Sequence, residues 1–374
     1  MRRAHELSRR LDIEEKSGQG GPSITHWYHL WGTLVLKFEP GLLQEFEGEA
    51  LSRAGSLNEL GRKLEWDPRS IAAVRDGRDT ITIDKLKRLL DFLDKPYDSV
   101  EKNIIGIGSK RGIVIRNPKL PFNLNTTAGA RVIAASLKDG GINVAHHYFQ
   151  YTNYDRAKRD KVTEAVRAVF GDVSSSIMRD KEGKQKGISF DTAAIGEALI
   201  RAGIPVGEKV YQEYHVPDFI LEGTREQKIE YMSQTIGDEG HRDKEHYDIK
   251  FGQAINVEGL LSEEDKKVLE NLEWEIKTLP SGYKEEFVVL TRNVTEGFTS
   301  ELRSIIYEQS RPPNIDEERA MLKDLFEVKA DIYPEQIYRT KLKGYRVYWA
   351  SRITGKDIYD RVVSELGLTD EDEE

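Results

Sequence analysis

Apolar residues recur at helical spacing along the chain from position 40 onward. The pattern predicts four short helices separated by turn-forming pieces, over 41–54, 57–65, 68–76 and 84–94. In the second of these, Leu57, Leu60 and Leu64 form a single apolar stripe. The pattern therefore predicts an all-α domain over 40–102, whereas residues 1–39 give no clear pattern and are assigned no function.

The third predicted helix carries the most informative residues of this domain. Asp67 followed by Pro68 is typical of a helix start, and Gly77 is typical of a helix end. The stretch SLNELGRKLEWDPRSIAAVRDGRDTITIDKLKRLLDFL resembles the helix-turn-helix domains of phage-repressor type. The resemblance makes 68–76 a recognition helix that contacts base edges or phosphates in the major groove through its outward residues, Arg69, Ser70, Ala73 and Arg75. The alternative is a helical module for dimerisation or docking that never contacts DNA.

The segment 103–125 changes in character. Its glycines, prolines and β-branched residues predict a linker with short extended pieces. It contains a basic cluster formed by Lys110, Arg111 and Arg116. Such a cluster suits contact with phosphates, and it suits a solvated connector equally well.

Two stretches in the rest of the chain share one order of elements. Residues 162–203 and 320–368 each read as helix, strand, basic turn, strand and helix. Each stretch is preceded by a helix that ends in an acid followed by a glycine. The nine residues at these helix ends are VIAASLKDG at 132–140 and MSQTIGDEG at 232–240. The chain therefore contains a predicted duplication.

The acids Asp139 and Glu239 occupy equivalent places in the two copies. Thr126 or Thr127 is the predicted cap of the first helix, and Thr224 is the predicted cap of the second. A carboxylate at the C-terminal end of a helix is disfavoured by the negative end of the helix dipole. We therefore expect a compensating positive charge, such as a bound cation, near both acids.

This constellation resembles the LAGLIDADG family, whose single-chain members carry two αββαββα repeats. The resemblance implies an α+β protein whose monomeric LAGLIDADG core has two pseudo-symmetric repeats, 126–221 and 222–368, after the all-α helix-turn-helix domain. An additional stretch over roughly 257–313 enlarges the second repeat. The small residues that suit close packing of the two motif helices are Ala134, Ala135 and Ser233. Gln234 departs from the family's pattern at that interface.

The same resemblance implies a catalytic site. In active members the two acids bind a divalent metal, so Asp139 and Glu239 would hold Mg²⁺ or Mn²⁺ and support phosphodiester hydrolysis by a homing-type DNA endonuclease. Gln150 corresponds to a side chain that organises water, and Lys209 corresponds to a basic residue near the active site. In the second repeat, Val289 falls at the position of the glutamine.

Positive charge recurs in the turns of the two predicted hairpins. The cations of the first turn are Arg179, Lys181, Lys184 and Lys186, and those of the second are Arg339, Lys341, Lys343 and Arg346. Alternation along the strand RVYWASRI places Arg346, Tyr348 and Arg352 on one face. Because family members hold duplex DNA on a saddle of strands, these residues would contact phosphates. The alternative is that the charged turns are simply solvated.

Composition narrows the classes that remain. The 374 residues include 56 Lys+Arg and 65 Asp+Glu, for a formal charge of −9, and no cysteine. Without cysteine there is no disulfide, no thiolate nucleophile and no Cys-based zinc site. No apolar run approaches the ~20 residues that a transmembrane helix needs, and the start is not a secretory signal. We therefore expect an intracellular, cytoplasmic protein.

The negative charge is unevenly distributed. Residues 1–124 carry 21 Lys+Arg and 18 Asp+Glu, whereas the remainder carries 35 and 47. The tail 369–374, TDEDEE, supplies five of those acids and is expected to be a solvated end. An acidic total ordinarily argues against a nucleic-acid partner, but the local basic segments keep duplex DNA as the expected partner and structured RNA as a second one.

Two functions therefore remain open after the sequence alone. The first is a nucleic-acid-binding LAGLIDADG protein that cuts duplex DNA with Mg²⁺. The second is a non-cleaving descendant, either a sequence-specific transcriptional regulator or an RNA-binding factor of the maturase kind. Retention of both acids favours the first, and Gln234, Val289 and the added helix-turn-helix favour the second.

Overall fold

The computed structural model describes residues 21–278, 284–340 and 344–368. The N-terminal region forms helices whose bounds follow the predicted ones: α1 (Leu42–Ala54), α2 (Leu57–Leu64), α3 (Pro68–Arg75) and α4 (Ile83–Phe92). The side chain of Ser56 accepts a hydrogen bond from the backbone N–H of Glu59 at 3.2 Å. That of Asp67 accepts one from Arg69 at 2.8 Å. The two central helices therefore begin at side chains that cap them.

A five-stranded antiparallel sheet runs through the N-terminal region and into the next unit. Across the sheet, its strands are β3 (Thr80–Thr82), β2 (Val35–Phe38), β4 (Ile104–Ser109), β5 (Gly112–Arg116) and β9 (Asp172–Val173). The prediction of an all-α domain is therefore wrong, because the β-branched residues of β3 pair with β2. The segment 103–125, predicted to be a linker, supplies β4 and β5.

The first unit after this region is a helix, two strands, a helix, two strands and a helix. Its elements are α5 (Thr127–Leu137), β7 (Gly140–Ile142), β8 (Phe149–Thr152), α6 (Arg156–Phe170), β10 (Ser176–Arg179), β11 (Gln185–Phe190) and α7 (Ala193–Arg201). Its strands form an antiparallel sheet in the order β10, β11, β8, β7. A short pairing of β1 (Ile24–Thr25) with β6 (Phe122–Asn123) precedes it.

The second unit repeats this order after the short helix α8 (Asp218–Leu221). Its elements are α9 (Arg225–Glu239), β12 (His241–Asp243), β13 (Asp248–Asn256), α13 (Pro313–Phe326), β16 (Asp331–Thr340), β17 (Gly344–Thr354) and α14 (Lys356–Glu365). An insertion between β13 and α13 contributes α10 (Glu263–Glu270), β14 (Glu275–Thr278), β15 (Lys284–Val289), α11 (Arg292–Glu296) and α12 (Ser300–Ser304).

The strand order of the second sheet is β12, β13, β17, β16, β15, β14, with antiparallel neighbours throughout. Its first four strands therefore have the same neighbours as β7, β8, β11 and β10 in the first unit. The strands β14 and β15 extend the second sheet at one edge. The whole is a mixed α+β protein with several antiparallel sheets.

The two first helices of these units, α5 and α9, pack side by side. The hydroxyls of Thr126 and Thr224 accept hydrogen bonds from the first turns of the two helices. Arg131 and Glu230 form an ion pair between the helices. The buried side of α5 consists of small and apolar residues, which include Ala130, Val132, Ile133, Ala134, Ala135 and Leu137. The two C-terminal ends are thereby brought together.

Buried apolar side chains form two clusters. The larger one runs through the N-terminal region and both units. The smaller one joins the insertion and the start of α13 to β16 and β17, and its members include Leu302, Ile315, Ile337, Val347 and Trp349. In the described parts of the chain, none of the helices combines the length and the apolar character that crossing a membrane requires.

Replacement of Gly129 tests how closely the start of α5 packs against the preceding chain. A β-carbon there would lie 2.1 Å from the backbone oxygen of Leu124, so Gly129→Ala forces a backbone shift. We expect the free energy of unfolding, measured by urea denaturation, to fall by about 1–3 kcal/mol.

Gly237 in α9 is the matched control. Among the described residues, nothing outside the helix itself lies within 4 Å of the place that its β-carbon would take. Gly237→Ala should therefore leave the free energy of unfolding unchanged or raise it by up to about 1 kcal/mol. Equal stability of the two variants would contradict the close approach at Gly129.

Candidate functional site

The ends of α5 and α9 carry acid–glycine steps of the same construction. Asp139 follows the end of α5 closely, and Glu239 is the last residue of α9. A β-carbon at Gly140 or Gly240 would lie 2.5 or 2.2 Å from a backbone oxygen of the helix that it follows. Glycine is therefore required at both steps, because the chain turns back against its own helix.

A third acid lies between these two, and both aspartates are held by polar side chains. Asn153 donates a hydrogen bond to Asp139 at 2.8 Å. Asp238 accepts hydrogen bonds from the hydroxyl of Tyr151 and from the amide of Gln234, the latter at 2.7 Å. Gln234, which departs from the family's pattern, is thus buried but fully engaged, since it also donates to Tyr151 at 3.2 Å.

Two lysines supply positive charge to the same place. The ammonium group of Lys138 is buried, 2.8 Å from Glu318 and 4.0 Å from Glu239. Lys209 donates to the backbone oxygens of Ser136, at 3.3 Å, and of Lys138. The compensating charge that the helix dipoles call for is thus partly present in the chain itself.

Burial governs the protonation of this acid cluster, which we define as Asp139, Asp238 and Glu239. It raises the pKa of Asp139 to about 7, and the charge of Asp238 adds to the rise. It raises the pKa of Glu239 to about 7, against the charges of Lys138 and Lys209. The pKa of Asp238 rises to about 6, and that of Lys209 falls to about 8, again chiefly through burial. The three acids of the cluster and Lys209 therefore titrate as one coupled system near neutral pH.

The four residues predicted to be catalytic lie around these helix ends. Asp139 and Gln150 line one open cavity of about 290 Å³. Glu239 and Lys209 both interact electrostatically with Asp139. Gln150 reaches this place because β8 pairs with β7, directly opposite Gly141.

The prediction that Val289 corresponds to Gln150 is wrong. Gln150 pairs with Gly141, two positions after the first acid, and Lys250 pairs with His241, two positions after the second. Lys250 therefore occupies the equivalent place. Val289 lies on β15, a strand of the insertion that the first unit lacks, so counting along the sequence could not align it.

The carboxylates of the cluster are of the ligand type that a hard divalent cation prefers, but among the described residues the three ligand atoms that converge within 4.8 Å belong to His26, Asp98 and Glu101 and not to this cluster. Asp139 and Glu239 offer carboxylate oxygens, and the cavity beside Asp139 leaves room for bound water, as Mg²⁺ and Mn²⁺ require. The raised pKa values of both acids mean that added positive charge would stabilise their ionised forms. Lys138 and Lys209 already provide part of that charge.

The predicted recognition helix, α3, presents the expected face. Arg69 and Arg75 are exposed and Ser70 is half-buried, whereas Ile71 and Val74 point into the core. Within the described residues, Arg69 lies within ion-pair distance of no carboxylate, and Arg75 contacts only its exposed neighbour at 3.5 Å.

The charge of Lys110, in the turn between β4 and β5, acts on Lys85 of α4. Burial lowers the pKa of Lys85, and the charges of Arg78 and, more weakly, of Lys110 lower it further, while that of Asp67 raises it. Lys85 therefore senses the charges of both the β4–β5 turn and the cap of α3. Lys110 and its neighbour Arg111 are exposed.

The first hairpin, β10–β11, carries its four predicted cations without acidic partners. The guanidinium of Arg179 donates to the backbone oxygen of Gly183 at 2.8 Å, and Lys184 lies 5.2 Å from the ring of Tyr154. Asp180 and Glu182 belong to the same turn, where Asp180 accepts hydrogen bonds from backbone N–H groups. In the described part of the chain, however, no carboxylate lies within ion-pair distance of any of the four predicted cations, Arg179, Lys181, Lys184 and Lys186.

The second hairpin differs. Arg339 forms an ion pair with Glu286 and stacks on Trp274, with 4.3 Å to the ring centre. It lies on the core face of the sheet, because Ile337, two positions earlier in β16, is fully buried. The other two predicted cations of this turn, Lys341 and Lys343, fall outside the described residues.

The strand β17 places Arg346, Tyr348 and Arg352 on one face, as alternation predicts, but the two arginines are ion-paired. Arg346 is buried and lies 2.8 Å from Glu285, and Arg352 lies 2.9 Å from Asp248. The matched positive charge predicted for the two hairpins is therefore not present in the described residues, because acids on β13 and β15 neutralise Arg339, Arg346 and Arg352.

Sequence reasoning missed Asp238, Tyr151, Lys138 and Glu318. Asp238 precedes Glu239 directly, and Lys138 stands at the same position of the first motif, so their equivalence was visible in the sequence. Tyr151 and Glu318 contact these residues only through the packing of distant elements, β8 and α13, and nothing local marks them.

Comparisons with known proteins give a limited likeness. No family model matches the chain, and no curated protein matches it. Full-length DUF199/WhiA from Thermatoga maritima is similar, with 10% identity, a TM-score of 0.34, and coverage of 68% of this chain and 60% of that one. The N-terminal LAGLIDADG domain of DUF199/WhiA gives 11% identity and a TM-score of 0.32, over 68% and 90% of the two chains. At these values the likeness identifies neither a family nor a function.

The raised pKa values of the acid cluster make stability depend on pH. The folded acids hold protons up to about pH 6–7, whereas ordinary carboxyls release them near pH 4. The unfolded state therefore binds fewer protons in this window, and the free energy of unfolding should fall as pH rises from 5 to 8.

Asp139→Asn removes one of these acids. We expect its loss of stability between pH 5 and pH 8, measured by urea denaturation, to be smaller than that of the wild type by on the order of 1–3 kcal/mol. Glu164→Gln, on the exposed side of α6, is the control and should keep the wild-type profile. An identical profile for Asp139→Asn would mean that Asp139 is ionised in the folded state throughout.

Proposed function

We propose that this protein binds duplex DNA through a basic strip, which we define as α3, the β4–β5 turn and the β10–β11 hairpin. The core is proposed to be a monomeric LAGLIDADG-type fold with repeats over 126–221 and 222–368. The helix-turn-helix domain covers 40–102. The acidic tail 369–374 lies outside the described residues and has no part in the proposal.

One observation carries the proposal: within the described residues, Asp76 beside Arg75 is the only carboxylate within ion-pair distance of the named cations of the basic strip. The chain holds more acids than bases, and most arginines elsewhere in the described residues are paired with them. Cations held exposed and unpaired in such a chain are suited to phosphates, which supply most of the binding energy of nucleic-acid interfaces.

The parts of the strip are connected by one sheet. In β9, Asp172 and Val173 pair with Arg116 and Ile115 of β5, and Ser174 donates to Val114. Because this pairing is antiparallel, the chain leaves β9 in the direction of the β4–β5 turn and then enters the β10–β11 hairpin. Lys85 of α4 interacts electrostatically with both Lys110 of the β4–β5 turn and Asp67 at the start of α3, which supports our proposal that the three parts share one side of the molecule.

The features of α3 favour duplex DNA over RNA as the ligand. Its length, its proline start and its two exposed arginines suit insertion into the major groove, where arginine recognises guanine. The major groove of an RNA helix is too deep and narrow for such contact. α3 is capped by Asp67, and its buried residues Ile71 and Val74 pack it onto the core of the N-terminal region, which holds its outward face in place.

Cleavage of DNA is the second candidate. It is favoured because Asp139 and Glu239 lie at the adjacent C-terminal ends of α5 and α9. These acids would hold Mg²⁺ or Mn²⁺, which when bound would polarise a phosphate and activate water. Lys209, whose pKa is lowered to about 8, is able to release or hold a proton near neutrality. Gln150, on the wall of the same cavity, is placed to orient water by hydrogen bonding.

Arg69→Ala combined with Arg75→Ala tests DNA binding. We expect the Kd for a pool of random-sequence 30-base-pair duplexes, measured by fluorescence anisotropy at 100 mM NaCl, to rise about tenfold or more. The slope of log K against log salt should become shallower by about 0.9 for each phosphate that the variant no longer neutralises. The control is Lys267→Ala with Arg292→Ala, two exposed cations of the insertion, which should leave Kd nearly unchanged.

Competition decides the class of ligand. If structured RNA displaces the duplex at equal salt and equal concentration, duplex DNA is not the preferred partner. If neither nucleic acid binds the wild type, the proposed function is wrong.

The cleavage candidate predicts loss of cutting without loss of binding. The wild type should cut members of a randomised duplex library in Mg²⁺ or Mn²⁺, and Asp139→Asn with Glu239→Gln should not. Either metal should also raise the Tm of the wild type more than that of the variant, since it binds only where the carboxylates are present. A library left intact by the wild type under both metals would restrict the function to binding.

A further inference from the structure

The second sheet carries three cations on the face that looks toward the acid cluster. Lys250 on β13 pairs with Arg352 on β17, and Arg346 lies on the same face of β17. Tyr348 stands between the two arginines, and the charge of Glu239 contributes to its raised pKa. This open face is therefore the counterpart of the face on which Gln150 stands in the first unit.

Each of these three cations is neutralised by one carboxylate. Arg346 on β17 pairs with Glu285 on β15 at 2.8 Å, Arg352 on β17 pairs with Asp248 on β13 at 2.9 Å, and Lys250 on β13 pairs with Glu335 on β16 at 2.8 Å. The first and the third of these pairs reach across one intervening strand. The side chains of Arg346 and Glu285 are only 10% and 16% exposed. A phosphate can reach Arg346 only if that pair is broken.

The insertion contributes to this neutralisation. Glu285 belongs to β15, one of the two strands that extend the second sheet and that the first unit lacks. At the place of Gln150, the second unit has Lys250, and its charge is offset by Glu335. The second unit has thus acquired both a cation and acids on this face.

Neutral pairs contribute little to the binding of a polyanion. Affinity for a duplex comes largely from counterions released when unpaired cations meet phosphates. A cation already paired with a carboxylate leaves no net charge on that face, and breaking a largely buried pair leaves an uncompensated carboxylate behind. The first hairpin has no such restriction, because its cations have no carboxylate within ion-pair distance in the described residues.

We propose that the duplex is held mainly on one side, by the N-terminal domain and the first unit, while β13 and β17 of the second sheet face it without making phosphate contacts. This proposal rests on the proposed function, DNA binding, and adds that the two similar units have unequal parts in it. It predicts a contact area made of α3, the β4–β5 turn and the β10–β11 hairpin, without a matching contribution from β13 and β17.

The test compares matched pairs of cations in the full chain. Fluorescence anisotropy with the random-sequence 30-base-pair duplex pool gives Kd between 50 and 300 mM NaCl. For Lys181→Gln with Lys184→Gln, the slope of log K against log salt should become shallower by about 1.8, the value for two phosphates that are no longer neutralised. For Lys250→Gln with Arg352→Gln, Kd and slope should stay at the values of a charge control.

The charge control is Lys267→Gln with Lys323→Gln, two exposed lysines whose replacement makes the same change in net charge. A second variant, Asp248→Asn with Arg352→Gln, removes a whole ion pair without changing net charge and should bind as the wild type does. Arg352→Gln alone, at a side chain that is 45% exposed, serves if a double variant does not fold.

The outcomes separate the two proposals. Suppose that the wild type binds, and that the salt slope of the Lys250 and Arg352 variant falls as much as that of the first-hairpin variant. The proposal of one-sided contact is then wrong, while the proposal of DNA binding stands. If the wild type shows no salt-dependent binding, both proposals are wrong. If the salt slope falls only for the first-hairpin variant, the proposal of one-sided contact is supported.

Discussion

The parallel packing of α5 against α9 is the constraint on which the centre of this protein depends. It brings the C-terminal ends of two helices together, and with them Asp139, Asp238 and Glu239. Both the helix dipoles and the mutual repulsion of the acids oppose this arrangement, and burial adds to the penalty. Two kinds of neighbour reduce that penalty. Amide and hydroxyl groups donate hydrogen bonds to the aspartates, and the buried ammonium groups of Lys138 and Lys209 supply positive charge.

Local sequence signals were sufficient for the elements that build this centre. Thr126 and Thr224 mark the starts of α5 and α9 through hydrogen bonds within one turn, and Gly140 and Gly240 mark steps that admit no side chain, so each can be predicted from its neighbours in the sequence. The duplication could also be predicted, because two stretches with the same order of elements require the same pairing of strands. The strand β3 was missed because its partner, β2, lies in a region of the sequence without a clear pattern.

Partners that come from distant elements could not be predicted. Nothing in the sequence around Glu318 shows that it meets Lys138, since the contact depends on how α13 packs beneath the second sheet. The alignment of Val289 with Gln150 failed for a related reason: an insertion breaks the correspondence between sequence distance and position in the sheet. The ion pair of Arg346 with Glu285 has the same origin, and it shows why a count of basic residues in a turn overestimates available charge. Net charge, whether of a turn or of the chain, is informative only after pairing is known.

The pairing of β5 with β9 has a mechanical consequence. A domain attached through an unstructured linker can search for its own position on a ligand, independently of its neighbour. Here Ile115 and Arg116 are hydrogen-bonded to Val173 and Asp172 of β9, a strand of the first unit, so main-chain hydrogen bonds tie the N-terminal region to that unit. Under the proposed function, this attachment would restrict the separation between the outward face of α3 and the tip of the β10–β11 hairpin. A duplex that contacted both would then have to present its phosphates at matching positions along its length.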